Sequence, residues 1–154
     1  MEKKDIEKTI IYNKKANFEY IFLDKFESGI QLKGTEVKSL REGKCSIGEA
    51  YIIEQGNEIF IKNMNISHFK HGNINNHDPL RLRKLLLHKK EIEKIKRAIK
   101  EKGTTVVPIR LYFKGSLVKV EIAIAKGKKL YDKRETIKER ETKKHIAREM
   151  KTYK

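Results

Sequence analysis

Apolar and polar residues alternate with a period of two through much of the first half of the chain. In "FESGIQL", Phe26, Ile30 and Leu32 fall at even positions with Ser28 between them, while Glu27, Gly29 and Gln31 fall on the other face. That is the pattern of a strand buried on one side. The same texture in "TIIYN", "FEYIFLD", "EAYIIEQ" and "NEIFIKNMNIS" predicts strands as far as Ile66. Gly56-Asn57, set between two apolar runs, predicts a hairpin turn. "GTEVKSLREG" predicts one or two helical turns, with Thr35 capping the start and Gly43 supplying a left-handed stop.

Residues 67–78 are polar and turn-rich, which predicts a surface loop. Asp78-Pro79 then offers an N-cap followed by proline at the first helical position. In "LLLHKKEIEKIKRAIKEKG", Ile92, Ile95 and Ile99 keep three-and-four spacing with Ala98 beside them. Lysines fill the opposite face and Gly103 ends the segment, so a helix is predicted. "TTVVPIRLYF" and "LVKVEIAIA" predict a hairpin joined at "KGS", with Val118, Val120, Ile122 and Ile124 on one face of the second strand. Pro108 argues for an edge position or a bulge in the first. Several strands and one strong helix suit a small β-barrel with helices outside, or else an open sheet with helices on one face.

The last segment breaks these patterns. Residues 126–154 carry 12 Lys/Arg and 5 Asp/Glu, and no apolar stripe runs their length. Ile146, Met150 and Tyr153 can share a helical face, but Ile137 lies opposite. Such a segment is expected to be disordered alone and to fold on an anionic surface. The chain as a whole has 37 Lys/Arg against 21 Asp/Glu, a formal +16, which implies a polyanionic partner. Nucleic acid is favoured over a membrane surface, since no apolar run is long enough to span a bilayer and the tail lacks an interfacial face. A single cysteine, Cys45, excludes an internal disulfide and suits a reducing cytosol. "MEKKDIEKTI" lacks an apolar run, so no secretory signal is expected.

The three segments "GTEVKSLREG", "DPLRLRKLLLHKKEI" and "KGKKLYDKRETIKER" occur in this order with "YNKKANFEY" and "FESGIQLKG" before or between them. Together they closely resemble the SsrA-binding protein family, the bacterial partner of transfer-messenger RNA, over most of the chain. The resemblance implies a mainly β fold with peripheral helices: an oligonucleotide-binding (OB)-fold-like antiparallel barrel over residues 1–125 and a basic tail over 126–154, disordered when free and helical on the ribosome. It also implies a non-enzymatic role without cofactor, metal or small-molecule substrate. Family members bind the tRNA-like domain of transfer-messenger RNA and help deliver it, with elongation factor Tu contacting the RNA, to ribosomes stalled in the cytoplasm. The stalled peptide is tagged and the ribosome released.

The positions matching the family's RNA-binding surface include Glu27, Leu86, His88 and Lys119. Lys119 can pair with a phosphate as a point charge, and Leu86 can pack on an unstacked base. Glu27 either accepts hydrogen bonds from base amino groups or orients a neighbouring basic side chain. His88 stands where some members have asparagine, and its imidazole still donates or accepts a hydrogen bond. Lys14 and Lys15, with Tyr20 nearby, match a second basic patch in which the family often has arginines. Arg81, Arg83 and Lys84 join the RNA-binding set, their plainer reading being a salt-bridged helix surface.

In the tail, the resemblance implies that Lys126, Lys128, Lys129, Lys133 and Arg134 meet phosphates near the decoding centre of ribosomal RNA. Tyr131 would stack on a base, and Ile146 and Met150 would anchor the far turn. Asp132, Lys138 and Arg140 belong to the same ribosome-binding segment. A general ribosome-associated RNA binder would share the charge and the barrel. His68, His71, His77 and Asp78 cluster like a metal or nuclease site, but the spacing fits no strong zinc pattern and predicts ordinary surface histidines.

Overall fold

A computed structural model of the chain describes residues 6–70 and 76–128. Strand β1 (Glu7–Tyr12) leads into a short helix α1 (Lys14–Glu19) and the long strand β2 (Tyr20–Ile30). Helix α2 (Gly34–Arg41) and strands β3 (Cys45–Ser46), β4 (Tyr51–Gln55), β5 (Glu58–Lys62) and β6 (Asn65–Ile66) follow. Strand β7 (Arg83–Leu86), helix α3 (Lys89–Lys100) and the hairpin β8 (Thr104–Lys114) and β9 (Leu117–Gly127) complete the described chain. The main sheet runs β1-β8-β9-β2-β7-β5-β4, with all its pairings antiparallel. It curls until β4 lies against β8, giving the OB-like barrel expected from the strand pattern.

Local chemistry explains most of these elements. Gln55 pairs with Glu58 across Gly56-Asn57, and both loop residues have positive φ, 58° and 64°, as a tight primed turn requires. Gly43 (φ 71°) and Gly103 (φ 83°) follow α2 and α3 in the left-handed region that most side chains avoid. Pro108 meets both sequence expectations. It lies past the reach of β1, which pairs with β8 only from Arg110 to Lys114, and the β8–β9 register shifts between Pro108 and Arg110. The two faces of β2 are as read: Phe26, Ser28 and Ile30 are buried, whereas Glu27 and Gln31 are exposed. Ile59, Ile61, Met64, Ile66, Leu85, Ile95, Leu111, Val120 and Ile122 fill the interior.

The structure corrects four sequence expectations. "FEYIFLD" does not start as a strand, because Asn13 Oδ1 accepts the Ala16 N–H at 3.0 Å and nucleates α1 first. Thr35 does not cap α2. Lys33 is the cap residue, and the Glu36 carboxylate accepts its N–H at 2.7 Å. Asp78-Pro79 opens a turn in place of a helix, with Asp78 Oδ1 accepting the Leu80 N–H at 3.0 Å. The helix starts only at Lys89, because Arg83–Leu86 is strand β7. That strand joins β2, through Gly29↔Leu86 and Ile30↔Leu85, to β5, through Phe60↔Lys84 and Ile61↔Arg83.

Candidate nucleic-acid interface

Strand pairing assembles the outer face of the barrel from segments far apart in the chain. On β2, Glu27 and Gly29 point outward, facing Glu121 and Lys119 of β9. Lys119 in turn faces Tyr112 of β8, and Gly29 faces Leu86 of β7. His88 follows directly, at the cap of α3, where its backbone N–H donates to Glu91 Oε1 at 3.0 Å. Glu27, Gly29, Leu86, Leu87, His88, Glu91 and Lys119 thereby line one shallow depression of about 320 Å³. Glu27, Leu86, His88 and Lys119, which the sequence named from three separate segments, come together there.

The floor and rim of this depression have distinct chemistry. A Cβ built on Gly29 would lie 3.2 Å from Leu86 Cβ, so the glycine lets Leu86 rest on the sheet, where it stays 48% exposed. An exposed leucine at a polar rim suits contact with the face of a base. Lys119 forms no ion pair within the described residues, which leaves its ammonium free for a phosphate. Glu27 is already engaged: Tyr112 donates its hydroxyl to Oε2, and Lys114 Nζ lies 3.3 Å from Oε1. The Tyr112 hydrogen bond, reinforced by Lys114, holds the Glu27 carboxyl below its ordinary value. A carboxylate has about four lone-pair sites, so Glu27 keeps acceptor capacity for donors on an RNA base.

Sequence reading missed Tyr112, Lys114 and Arg110 as members of this face. The Tyr112 ring is buried to 1% exposure beneath the Arg110 guanidinium, 3.9 Å from the ring centroid. Arg110 also bonds Glu7 at 3.0 Å and lies 3.5 Å from Glu121. Burial and the bond to Glu27 push the Tyr112 phenol well above its usual range, so it remains a donor. The available signal was the alternation in "RLYFK", which puts Arg110, Tyr112 and Lys114 on one face.

Tyr20 opens β2, about 23 Å from Glu27 by strand rise, and Lys14 and Lys15 precede it on α1. Lys15 and Tyr20 line a second depression with Asn13, Glu19 and Glu49. Lys15 is ion-paired with Glu49, which raises its pKa, while Lys14 is exposed and forms no ion pair among the described residues. Lys126 lies inside β9, paired in register with Ile21 and Thr104, and is a strand residue instead of part of the tail. The Lys128 N–H donates to Glu19 O at 2.8 Å, fastening the chain to α1. Lys129, Tyr131, Asp132, Lys133, Arg134, Lys138, Arg140, Ile146 and Met150 lie outside the described residues.

Of Arg81, Arg83 and Lys84, Arg83 requires correction. Arg83 has no exposed surface. Its Nε bonds Glu36 Oε2, and its Nη1 and Nη2 donate to Met64 O at 2.7 Å and Pro79 O at 3.1 Å. Arg81 Nη2 meets the other Glu36 oxygen at 2.6 Å. Arg83 therefore clamps α2 to the loops around Met64 and Pro79 and is closed to RNA. Neither arginine lies on a helix surface. Lys84 is half-buried on β7, 3.0 Å from Glu58.

His77 is not a surface residue. It is buried, its Nε2 donating to Ile66 O at 2.8 Å while Nδ1 accepts the Thr35 hydroxyl at 2.9 Å. Both ring nitrogens are occupied. His71 lies outside the described residues. No described helix is long and apolar enough to cross a membrane.

A model of the SmpB protein family matches residues 10–152. The chain belongs to the SmpB family. An SsrA-binding protein of Geotalea uraniireducens is 55% identical over 141 residues, covering 92% of this chain and 93% of that protein. The SsrA-binding protein of Thermosipho melanesiensis is 51% identical over 140 residues, covering 90% of this chain and 95% of that protein. Among solved SmpB structures, a chain from work described as "tmRNA-SmpB: a journey to the center of the bacterial ribosome" superposes with a TM-score of 0.66 at 40% identity. That match covers 78% of this chain and 85% of the solved one.

Proposed function

We propose that this chain binds the tRNA-like domain of transfer-messenger RNA and brings it to stalled ribosomes in the cytoplasm, acting by binding and not by catalysis. The observation that carries the reading is the meeting of Glu27, Leu86, His88 and Lys119 around one depression. A cation, an acceptor, a ring donor and an apolar side chain there offer a phosphate contact, base-edge hydrogen bonds and a stacking surface, as single-stranded or looped RNA requires. Lys14 and Lys15, on α1 just before the far end of β2, provide a second point of attachment. Membership of the SmpB family supports transfer-messenger RNA as the particular partner.

The second surface is the basic segment after β9. In this reading Lys128, Lys129, Lys133 and Arg134 meet phosphates of the decoding centre, Tyr131 stacks on an rRNA base, and Ile146 and Met150 anchor the distal turn in the empty message channel. Asp132, Lys138 and Arg140 belong to the same contact. Elongation factor Tu joins through the RNA. The test is competition between a tRNA-like-domain transcript and bulk RNA of equal length at moderate salt. The wild-type protein should retain its preference for the transcript, and Lys119→Gln and Glu27→Gln should weaken it with unchanged circular dichroism. A wild-type protein indifferent between the two RNAs is instead a general polyanion binder.

A further inference from the structure

Helix α3 carries a basic ridge that neither the barrel nor the depression uses. Ile95 and Ala98 bury its inner face. Lys90, Lys94 and Arg97 are all exposed and fall within about 60° of one another around the outer face at 100° per residue. Lys89 and Lys100 flank them. None of these five forms an ion pair among the described residues. Some other surface lysines do have acidic partners: Lys15 with Glu49, Lys44 with Glu42, Lys84 with Glu58, and Lys114 with Glu27, whereas Lys14 and Lys119, like the ridge, form no ion pair among the described residues.

Two acids of the helix are turned elsewhere. Glu91 accepts the His88 N–H, and Glu93 lies 4.0 Å from Lys96 on the flank. Lys96 in turn reaches Glu54 at 3.7 Å and Asn57 at 3.1 Å on the β4–β5 hairpin. Lys90–Lys94 and Lys94–Arg97 are therefore like-charge pairs at four and three residues, an arrangement that weakens an isolated helix. An acid at the middle position would relieve both. Nothing inside the described fold benefits from the repulsion, but an external polyanion would remove it. The ridge is also continuous with the depression, since His88 lines that site and caps the same helix.

We infer that the exposed face of α3 is a phosphate-binding surface for the backbone of the same RNA whose base-bearing loop occupies the depression. The assignment rests on the functional reading above and extends it from base contacts to a tract of backbone. Cationic side chains on a rigid helix recognise phosphates by charge and position without reading sequence. Each phosphate contact releases condensed counterions and steepens the salt dependence of binding.

The decisive measurement is affinity for a tRNA-like-domain transcript at several salt concentrations, for the full chain and for K90Q/K94Q/R97Q. Glutamine matches lysine and arginine closely in helix propensity, so α3 should persist. Removing three contacts should lower the slope of log affinity against log salt by about 2–3. The charge-preserving K90R/K94R/R97K should keep the wild-type slope. Should the triple glutamine variant fail circular dichroism, Lys94→Gln alone should lower the slope by about 0.7–0.9. An unchanged slope in the folded glutamine variant overturns the assignment, as does a loss confined to binding of ribosomal subunits. Failure of the functional reading looks different: the wild type itself then shows no preference for the transcript over bulk RNA.

Discussion

At the scale of single residues, two carboxylates behave in opposite ways. Glu36 is buried between Arg81 and Arg83, and Glu27 stands at the edge of the depression that also holds Leu86, His88 and Lys119. Burial pushes the Glu36 carboxyl up, but hydrogen bonds from Arg81, the Lys33 N–H and Arg83 outweigh it and hold it below its ordinary value. A depressed carboxyl stabilises the fold above its unfolded pKa, and that contribution is lost as pH falls through the folded value. Stability should accordingly drop in acid, beginning below about pH 4.3. Glu36→Gln leaves Arg83 without its countercharge and should cost about 3–5 kcal/mol at neutral pH in urea unfolding. Its stability should also vary less with pH across the acid range. Glu27 should respond through binding. Tyr112→Phe removes the donor that lowers the Glu27 pKa, so loss of RNA affinity on acidification should begin at higher pH than in the wild type. A titration of binding against pH checks this, with the melting temperature as a control for the fold.

At the scale of elements, α1 depends on a single side chain. Asn13 caps the helix, and its amide donates to Pro108 O at 2.8 Å and Ile47 O at 3.2 Å, tying α1 to β8 and to the chain before β4. The cap is worth about 1 kcal/mol, and each bond to a buried carbonyl about 1 kcal/mol more. Asn13→Ala should therefore lower stability by about 2–3 kcal/mol. The urea midpoint should fall with the slope unchanged. Lys14 and Lys15 lie on this helix, so the same change should also weaken the proposed second RNA attachment. Helix α1 escaped sequence reading because its six residues hold only Ala16 as a buried position, too few for a stripe to emerge. Strand β7 escaped it because "LLL" before a strong helical pattern extends that pattern equally well. Pairing with β2 and β5 made the segment a strand, and no local signal carries that information.

At the scale of the whole molecule, the proposed division of labour falls at the end of the barrel. Strand β9 runs to Gly127, and Lys128 still bonds α1 through Glu19 O, so the barrel extends beyond residue 125, where composition placed its end. A chain stopped after Lys128 should keep its affinity for the tRNA-like domain and lose peptide tagging in a reconstituted translation assay. Equal loss of both would mean that the basic segment also holds the RNA. Stopping at Ala125 is a poorer experiment, because it removes the Lys126 pairings to Ile21 and Thr104.

What the sequence determined by itself was local or additive. The faces of β2, the Gly56-Asn57 turn, the glycine stops after α2 and α3, the charge excess and the ordered family motifs all depend on near neighbours or on totals. The tertiary structure alone decided that Arg83 is sealed inside with Glu36, because a buried arginine and an exposed one look the same until the partner is placed. It also decided that Tyr112 holds Glu27 beside Lys119, and that Leu86 lies on Gly29. Those contacts join residues tens of positions apart, and only strand pairing brings them within hydrogen-bonding or van der Waals reach.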